Sequence, residues 1–286
     1  MIGLGVLGFG SAGRALRWLL VIMLVAVLVF ALFGRCFTGL DPLATVARPW
    51  TPPNNNHPLG TDVLGRDVLA RLYWGGCTLT AVALLAAAVS TAFGIAAGLW
   101  AGWSGRRIEL GVSAGADLLL AVPAVLVGLV LAVAFPMPVA VVFATVVAGA
   151  PLTARVVADV SSDSRHATYI DVARMRGDSL PSILVQEVLP SHTAVITTDY
   201  GLRVIVALQL VATINALGLG TAPPQPDWAS MITENYSGIG LNAAATVAPA
   251  VALAVLATVV AVAAMTFGSS SLGSDPRSKA RESVAA

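Results

Sequence analysis

The sequence predicts an all-α integral membrane protein with six transmembrane helices, on three observations. Hydrophobic residues make up 57% of the 286 residues and charged residues only 11%, whereas an ordinary soluble domain carries about 25% charged residues. Mean hydropathy is +0.85, so the chain lacks the charged shell a soluble protein of this size needs. Uncharged runs recur along it, and an apolar helix of about 20 residues crosses a bilayer core about 30 Å thick.

The first run, Trp18 to Gly34, follows Arg14 and Arg17. It is long for a signal peptide and lacks a small-x-small cleavage site before a soluble body, so it reads as a retained first span. Residues 1–34 are thus a cytoplasmic N-terminus plus the first helix. Residues 35–77 form an extracytoplasmic segment whose stretch Arg35 to Arg71 is dense in Pro, Asn and Asp. Residues 78–267 form a five-helix core. Within the run Leu72 to Gly105 the second helix is expected at Thr78 to Gly102, with Trp100 and Trp103 at the interface and Arg106, Arg107 and Glu109 ending it.

The uncharged run from Asp117 to Ala154 is too long for one span. Pro136-Met137-Pro138 divides it into a third and a fourth helix, and Pro123 is expected to kink the third. A polar cytoplasmic loop, 155–190, comes next, helical around Ala173. Pro190 opens the fifth span, Ala194 to Leu217. A Gly/Pro-rich connection, Gly218 to Asn242, precedes the sixth, Ala243 to Phe267, and residues 268–286 are a cytoplasmic tail. Ten basic residues lie on the side of the termini (Arg14, Arg17, Arg106, Arg107, Arg165, Arg174, Arg176, Arg277, Lys279, Arg281) against four opposite (Arg35, Arg48, Arg66, Arg71). The excess of positive charge places both termini and the 155–190 loop in the cytoplasm.

Composition also excludes functions. A net charge of +1 and 6% aromatics leave no basis for binding nucleic acid. His57, His166 and His192 are scattered and Cys36 and Cys77 stand alone, so no metal site is expected. The two cysteines fall near the outer ends of the first two spans and are expected to be unpaired, with a disulfide outside the cell as the alternative. No phosphate-cradling G-x-x-x-x-G-K-[ST] run or zinc-protease H-E-x-x-H is present, and Gly111-Val-Ser113-Ala-Gly115, though it spells G-x-S-x-G, follows no predicted strand and so makes no serine elbow. The chain is therefore not expected to be an enzyme or to carry a cofactor.

One segment carries more specific information. Asp171-Val-Ala-Arg-Met-Arg-Gly177, nine residues, then Glu187-Val-Leu189-Pro190 resembles the E-A-A-x-x-x-G-x(9)-I-x-L-P loop of importer permeases of the ATP-binding-cassette superfamily. Ala173, Gly177, Leu189 and Pro190 match in register, while Asp171 replaces Glu, Val172 replaces Ala and Glu187 replaces Ile. His57-Pro-Leu-Gly-Thr-Asp62-Val-Leu-Gly-Arg-Asp67 and Leu217-Gly-Leu-Gly220-Thr-Ala-Pro-Pro224-Gln-Pro-Asp-Trp228 resemble segments of the dipeptide and oligopeptide branch, in the second of its two permeases. Nickel permeases belong to the same branch. The resemblance implies a type I importer permease in the inner membrane, with a cytoplasmic coupling helix. Its implied partners are a second homologous permease, two ATPase domains or subunits, an extracytoplasmic solute-binding protein, a peptide substrate and the lipid bilayer.

The physical chemistry of these segments agrees with that role. A short helix with a small face at Ala173, stopped by Gly177, suits a groove on a partner, since Gly takes a positive φ freely. Asp171 places a negative charge near the helix start, and Pro190 suits the first turn of the following helix. In the outer segment Gly60 and Gly65 set turns, with Asp62 as a helix cap and Arg66 and Asp67 in the first turns. That segment reads either as an outer gate or binding-protein docking face, or as a capped helix on the membrane surface. Asp199 and Arg203, four apart within the fifth span, read as a self-neutralising pair or as charges lining the pathway. A stand-alone secondary transporter is the competing function, but no internal repeat supports it.

Overall fold

The computed structural model describes residues 11–272 apart from His166 and residues 221–223, with side chains from 18 to 266. The tail charges Arg277, Lys279 and Arg281, His166, and the Thr-Ala-Pro part of the Leu217 to Trp228 segment lie outside the described residues. The described chain is helical, with isolated bridges Thr45 to Arg66 and Thr61 to Asp67. Its helices are α1 (Ser11–Phe33), α2 (Val68–Ser104), α3 (Arg106–Leu120), α4 (Ala124–Ala134), α5 (Met137–Ser164), α6 (Thr168–Met175), α7 (Leu180–Ile183), α8 (Leu189–Ser191), α9 (Thr193–Ala216), α10 (Trp228–Asn235) and α11 (Ala244–Leu272).

Five helices (the first counted from Trp18) are each long and apolar enough to cross a membrane, and the pair α3 and α4 makes a sixth span when counted as one. That pair bends by 71° rather than kinking gently. Pro123 lacks an N–H and pushes Val122 out of helical geometry, so the helix stops and restarts. Two helices exceed expectation by ten residues or more. The second starts at Val68 rather than Thr78, because Asp67 caps it, accepting the Ala70 N–H at 3.0 Å. α5 runs to Ser164, ten residues into the segment expected to be loop.

The central contact is a seam between α2 and α5. Gly94, Gly98 and Gly102, four apart on α2, abut Thr153, Val157 and Ser161 of α5, each pair 59 positions apart. A constant offset means the helices run parallel. A Cβ added at Gly98 would lie 2.6 Å from the Ala154 carbonyl oxygen. One turn earlier on α2, Ser90 donates to the Thr145 carbonyl at 3.0 Å. In lipid, where no hydrophobic force drives helices together, such small residues permit the close backbone approach that packing requires.

The connection between α9 and α11 is fastened by Trp228. Its indole is 1% exposed, seats on Gly75 and Gly76, stacks on Phe30 and donates Nε1–H to the Leu72 carbonyl at 2.8 Å. Asp227, before it, caps α10 by accepting the Ala229 N–H at 2.9 Å and the Ser230 N–H at 3.3 Å. Burial pushes the Asp227 carboxyl up to about 6, against the lowering effect of the bonds it accepts from Ser230, Asn215 and Ala229. Cys36 and Cys77 are both free.

Two predictions come from this packing. Gly98→Ala should destabilise the chain by about 1–3 kcal/mol through overpacking. Gly111→Ala, on the exposed face of α3 with nothing within 4 Å, should be neutral or stabilising by up to about 1 kcal/mol. Melting temperatures of the two variants in detergent report the contrast.

The raised carboxyl of Asp227 contributes stability that is fully present below its unfolded value of about 3.8 and is lost as pH rises through about 6. The wild-type melting temperature should therefore fall across that window, by an amount equivalent to about 2–3 kcal/mol. Asp227→Asn, which keeps an acceptor for the cap, should flatten that part of the profile.

Candidate functional site

At the N-terminal end of α2 three charges close in sequence, Asp62, Arg66 and Arg71, meet a fourth, Glu234, from far along the chain. Gly60 (φ 70°) and Gly65 (φ 75°) turn the segment before the helix, and a Cβ at either would collide with a backbone carbonyl, of Thr51 and Ala47 respectively. The turn between them folds over Asp62, which is fully buried. Asp62 accepts the N–H groups of Leu64 and Arg66, each at 2.8 Å, then Arg66 Nε at 2.7 Å and Arg71 Nη1 at 2.5 Å. Arg71, also fully buried, gives the same Nη1 to Glu234 of α10 at 2.8 Å, and Arg66 Nη2 reaches Glu234 at 3.2 Å. Two guanidiniums thus neutralise two carboxylates and tie α2 to α10.

The sequence reasoning placed Asp62 as the helix cap. The structure corrects this: Asp67 is the cap and also meets His57 Nδ1 at 2.7 Å, while Asp62 is the hub of the ion network. The reading of a capped helix lying on the membrane surface is corrected as well, since the residues here are buried among other elements. Arg71 and Glu234 were missed. A signal existed: Glu234 is one of four glutamates in a chain that is 11% charged, and a carboxylate in a mostly apolar protein needs a partner. Asn235 and Asn242 complete the brace, with Asn235 Oδ1 accepting the Val63 N–H at 2.9 Å and Asn242 Nδ2 donating to the carbonyls of Leu59 and Thr61, both at 3.0 Å. Removing one partner from such a buried set costs about 3–5 kcal/mol, so its worth lies in fixing one arrangement.

At the other end of α2 sits α6. Ile170 and Ala173 are fully buried against Leu99 of α2, Val157 of α5, Ile183 and Val188. Ala173 therefore does not offer a small face outward, as expected from sequence; it lets α6 lie close on its own chain. The opposite face is an apolar stripe of Val172 and Met175, three apart, with Met175 79% exposed; Tyr169, one turn before Ala173 and 38% exposed, borders it. Asp171 and Arg174 flank this stripe in a loose pair at 3.8 Å.

Gly177 (φ 81°) ends the helix as expected: its N–H bonds Arg174 O and the Asp178 N–H reaches back to Ala173 O, the paired arrangement that glycine permits at a helix end. Glu187, a departure from the resembling pattern, pairs with Arg176 at 2.7 Å and so holds the returning chain beside this turn. Leu189 and Pro190 do not open the fifth span. They form the separate turn α8, after a widened helical turn at Leu184–Val188, and His192 (φ −121°, ψ 19°) interrupts before α9 begins. His192 Nε2 and Ser164 Oγ lie 3.0 Å apart, joining the ends of α9 and α5.

Asp199 and Arg203 form a pair at 2.9 Å in α9, and Asp199 also accepts the Thr153 hydroxyl of α5. They are 8% and 6% exposed, so in this conformation neither presents its charge to a passing solute. The structure brings them together with α5, and not with the outer network or with α6.

Similarity to known proteins agrees with this architecture. Residues 94–268 match the family described as binding-protein-dependent transport system inner membrane component. A putative peptide transport system permease protein of Brucella suis is 30% identical over 222 residues, covering 77% of this chain and 75% of that protein. The dipeptide transport system permease protein DppC of Alkalihalophilus pseudofirmus is 27% identical over 216 residues, 75% of this chain and 71% of that one. The glutathione transport system permease protein GsiD of Pectobacterium atrosepticum is 29% identical over 206 residues, 70% and 67% respectively. With multiple apolar spans, an ordered helix between the fourth and fifth, and a family match over more than half its length, the chain belongs to the inner membrane components of binding-protein-dependent transport systems.

Proposed function

We propose that this chain is the membrane-spanning permease subunit of an ATP-driven importer of di- and oligopeptides. It forms the translocation pathway with a second homologous permease and receives peptide from an extracytoplasmic solute-binding protein. Two ATPase subunits act on it from the cytoplasm, where both of its termini lie. ATP hydrolysis belongs to those subunits. The names of the relatives, for peptide, dipeptide and glutathione systems, support a peptide cargo.

The observation that carries this reading is the two-sided character of α6. One face is fixed to the inner ends of α2 and α5, and the other is an apolar stripe of Val172 and Met175, bordered by Tyr169 and closed by the Gly177 turn. A helix exposing such a stripe outside the membrane fits a protein groove, as amphipathic helices do. Motion applied there passes to α2 and α5, whose seam is too close to slide. α2 delivers it to the outer network, where release of the Asp62, Arg66, Arg71 and Glu234 set would free α10.

The test is uptake. Gly177 has no neighbour within 4 Å of a notional Cβ, so Gly177→Val creates no clash within the chain and costs only about 1–2 kcal/mol of backbone strain. ATP-dependent uptake of a labelled dipeptide by vesicles carrying the assembled transporter should nevertheless fall by about tenfold or more. Gly177→Asn, which tolerates the left-handed conformation, should retain most of it. Unchanged uptake and unchanged ATPase stimulation by the binding protein in the Val variant would remove the coupling role. Uptake of nickel ion in place of peptide would reassign the cargo and leave the coupling role standing.

A further inference from the structure

Where α2 ends and α3 begins, a groove opens between α3 and the last turn of α5, lined by Arg106, Glu109, Leu110, Ser162 and Arg165. Its charges are uncommitted. Neither Arg106, Glu109 nor Arg165 belongs to any ion pair of the described residues. Arg165 is held in place from behind, its guanidinium 5.9 Å from the centre of the Trp103 ring, while its Nε and Nη2 have no hydrogen-bond partner. The Ser162 hydroxyl donates to the Asp159 carbonyl at 2.9 Å, which leaves its oxygen as an acceptor facing the groove.

Depth identifies what this groove meets. α5 starts at Met137, in the turn between the third and fourth spans. At 1.5 Å per residue a core about 30 Å thick is crossed near Val157. Ser162 then lies about 7 Å beyond, at the level of lipid headgroups, which add about 5–7 Å per leaflet. Trp100, 60% exposed one turn earlier on α2, agrees with an interfacial position. Basic pockets between helices at this level are headgroup sites. The pairing of two guanidiniums with one carboxylate and one acceptor oxygen matches a zwitterion that carries N–H donors, rather than a simple anion.

We propose that this groove binds the headgroup of an aminophospholipid of the cytoplasmic leaflet, its phosphate on Arg106 and Arg165 and its ammonium on Glu109 and Ser162. The assignment of leaflet rests on the orientation given under the proposed function; the lipid chemistry does not. A headgroup held here fastens the start of α3 to the end of α5 beside α6, and supplies the counter-charge that Arg165 lacks.

The test is native mass spectrometry of the full chain, together with whatever subunits copurify, after exchange into phosphatidylethanolamine, phosphatidylcholine or phosphatidylglycerol with the same acyl chains. Phosphatidylethanolamine should be retained roughly tenfold over phosphatidylcholine, whose quaternary ammonium has no N–H to donate. Arg106→Gln and Arg165→Gln should lower retention of all three, Glu109→Gln should erase the preference for phosphatidylethanolamine, and Arg107→Gln, outside the groove, should change nothing. Arg106 is exposed at a helix start, so its variant decides the matter if Arg165→Gln fails to fold.

Undiminished retention in an Arg106→Gln variant with wild-type melting temperature would overturn the site. Equal or stronger retention of phosphatidylglycerol would overturn the part given to Glu109. Displacement of lipid by millimolar inorganic phosphate would reassign the groove to a free anion, and crosslinking of a cysteine at Ser162 to a copurifying protein would reassign it to a subunit contact. Labelling of a cysteine at Ser179 from outside the cell would instead refute the orientation, with lipid retention unaffected.

Discussion

The structure depends on how closely α2 and α5 approach. Both cross the membrane in the same direction, so no short turn joins them and only side-chain packing holds them together. Ser90, Gly94, Gly98 and Gly102 remove the side chains that would keep the backbones apart, and Thr153, Val157 and Ser161 fill the space. In lipid this close packing substitutes for the hydrophobic force that assembles soluble cores. Asp199 strengthens the same assembly from the third side, accepting from Thr153 while paired with Arg203, so α9 is held to α5 by a charge-assisted hydrogen bond within the bilayer.

Everything assigned a function sits at one end or the other of this pair. At 37 residues α2 is about 55 Å long, well beyond the hydrocarbon core. Its N-terminal end enters the Asp62, Arg66, Arg71 and Glu234 network and receives Trp228; its C-terminal end, with that of α5, is the floor on which Ile170 and Ala173 of α6 rest. The proposed coupling needs a stiff element to carry work from one end of the spans to the other, and the α2–α5 pair has the length and the packing for it. By contrast, the widened turn at Leu184–Val188, Pro190 and the break at His192 make the link from α6 to α9 the more pliable one.

Much of this was legible in the sequence, because long apolar runs and glycine at a helix end have local causes. The spans, the division at Pro136 and the stop at Gly177 follow from the composition of a few neighbouring residues. The misreadings concern what distant segments do to one another. Asp62 and Asp67 are both plausible caps in isolation; which one caps depends on Arg71, itself held by Glu234, claiming the other, and Glu234 is 172 positions from Asp62. Ala173 looks like an outward small face until Leu99 and Val157 are seen to need a small neighbour. α2 starts ten residues before the predicted Thr78, at Val68, and the charge it thereby takes in at Arg71 is accommodated only by Asp62 and the distant Glu234. The seam itself was written plainly in the four-residue spacing of Gly94, Gly98 and Gly102, a signal that general small-residue enrichment conceals.

The central claim is that α2, α5 and α6 move as one body. Spin labels at Trp74, near the N-terminal end of α2 and partly exposed, and at Val172 on the exposed face of α6 report on it directly in the assembled transporter. Pulsed dipolar spectroscopy should give the same distance between them without nucleotide and with ATP trapped, while the distance from Val172 to a label on the second permease changes. A change within the chain as large as one helical turn, about 5 Å, would show that α6 moves independently of α2 and would contradict the account.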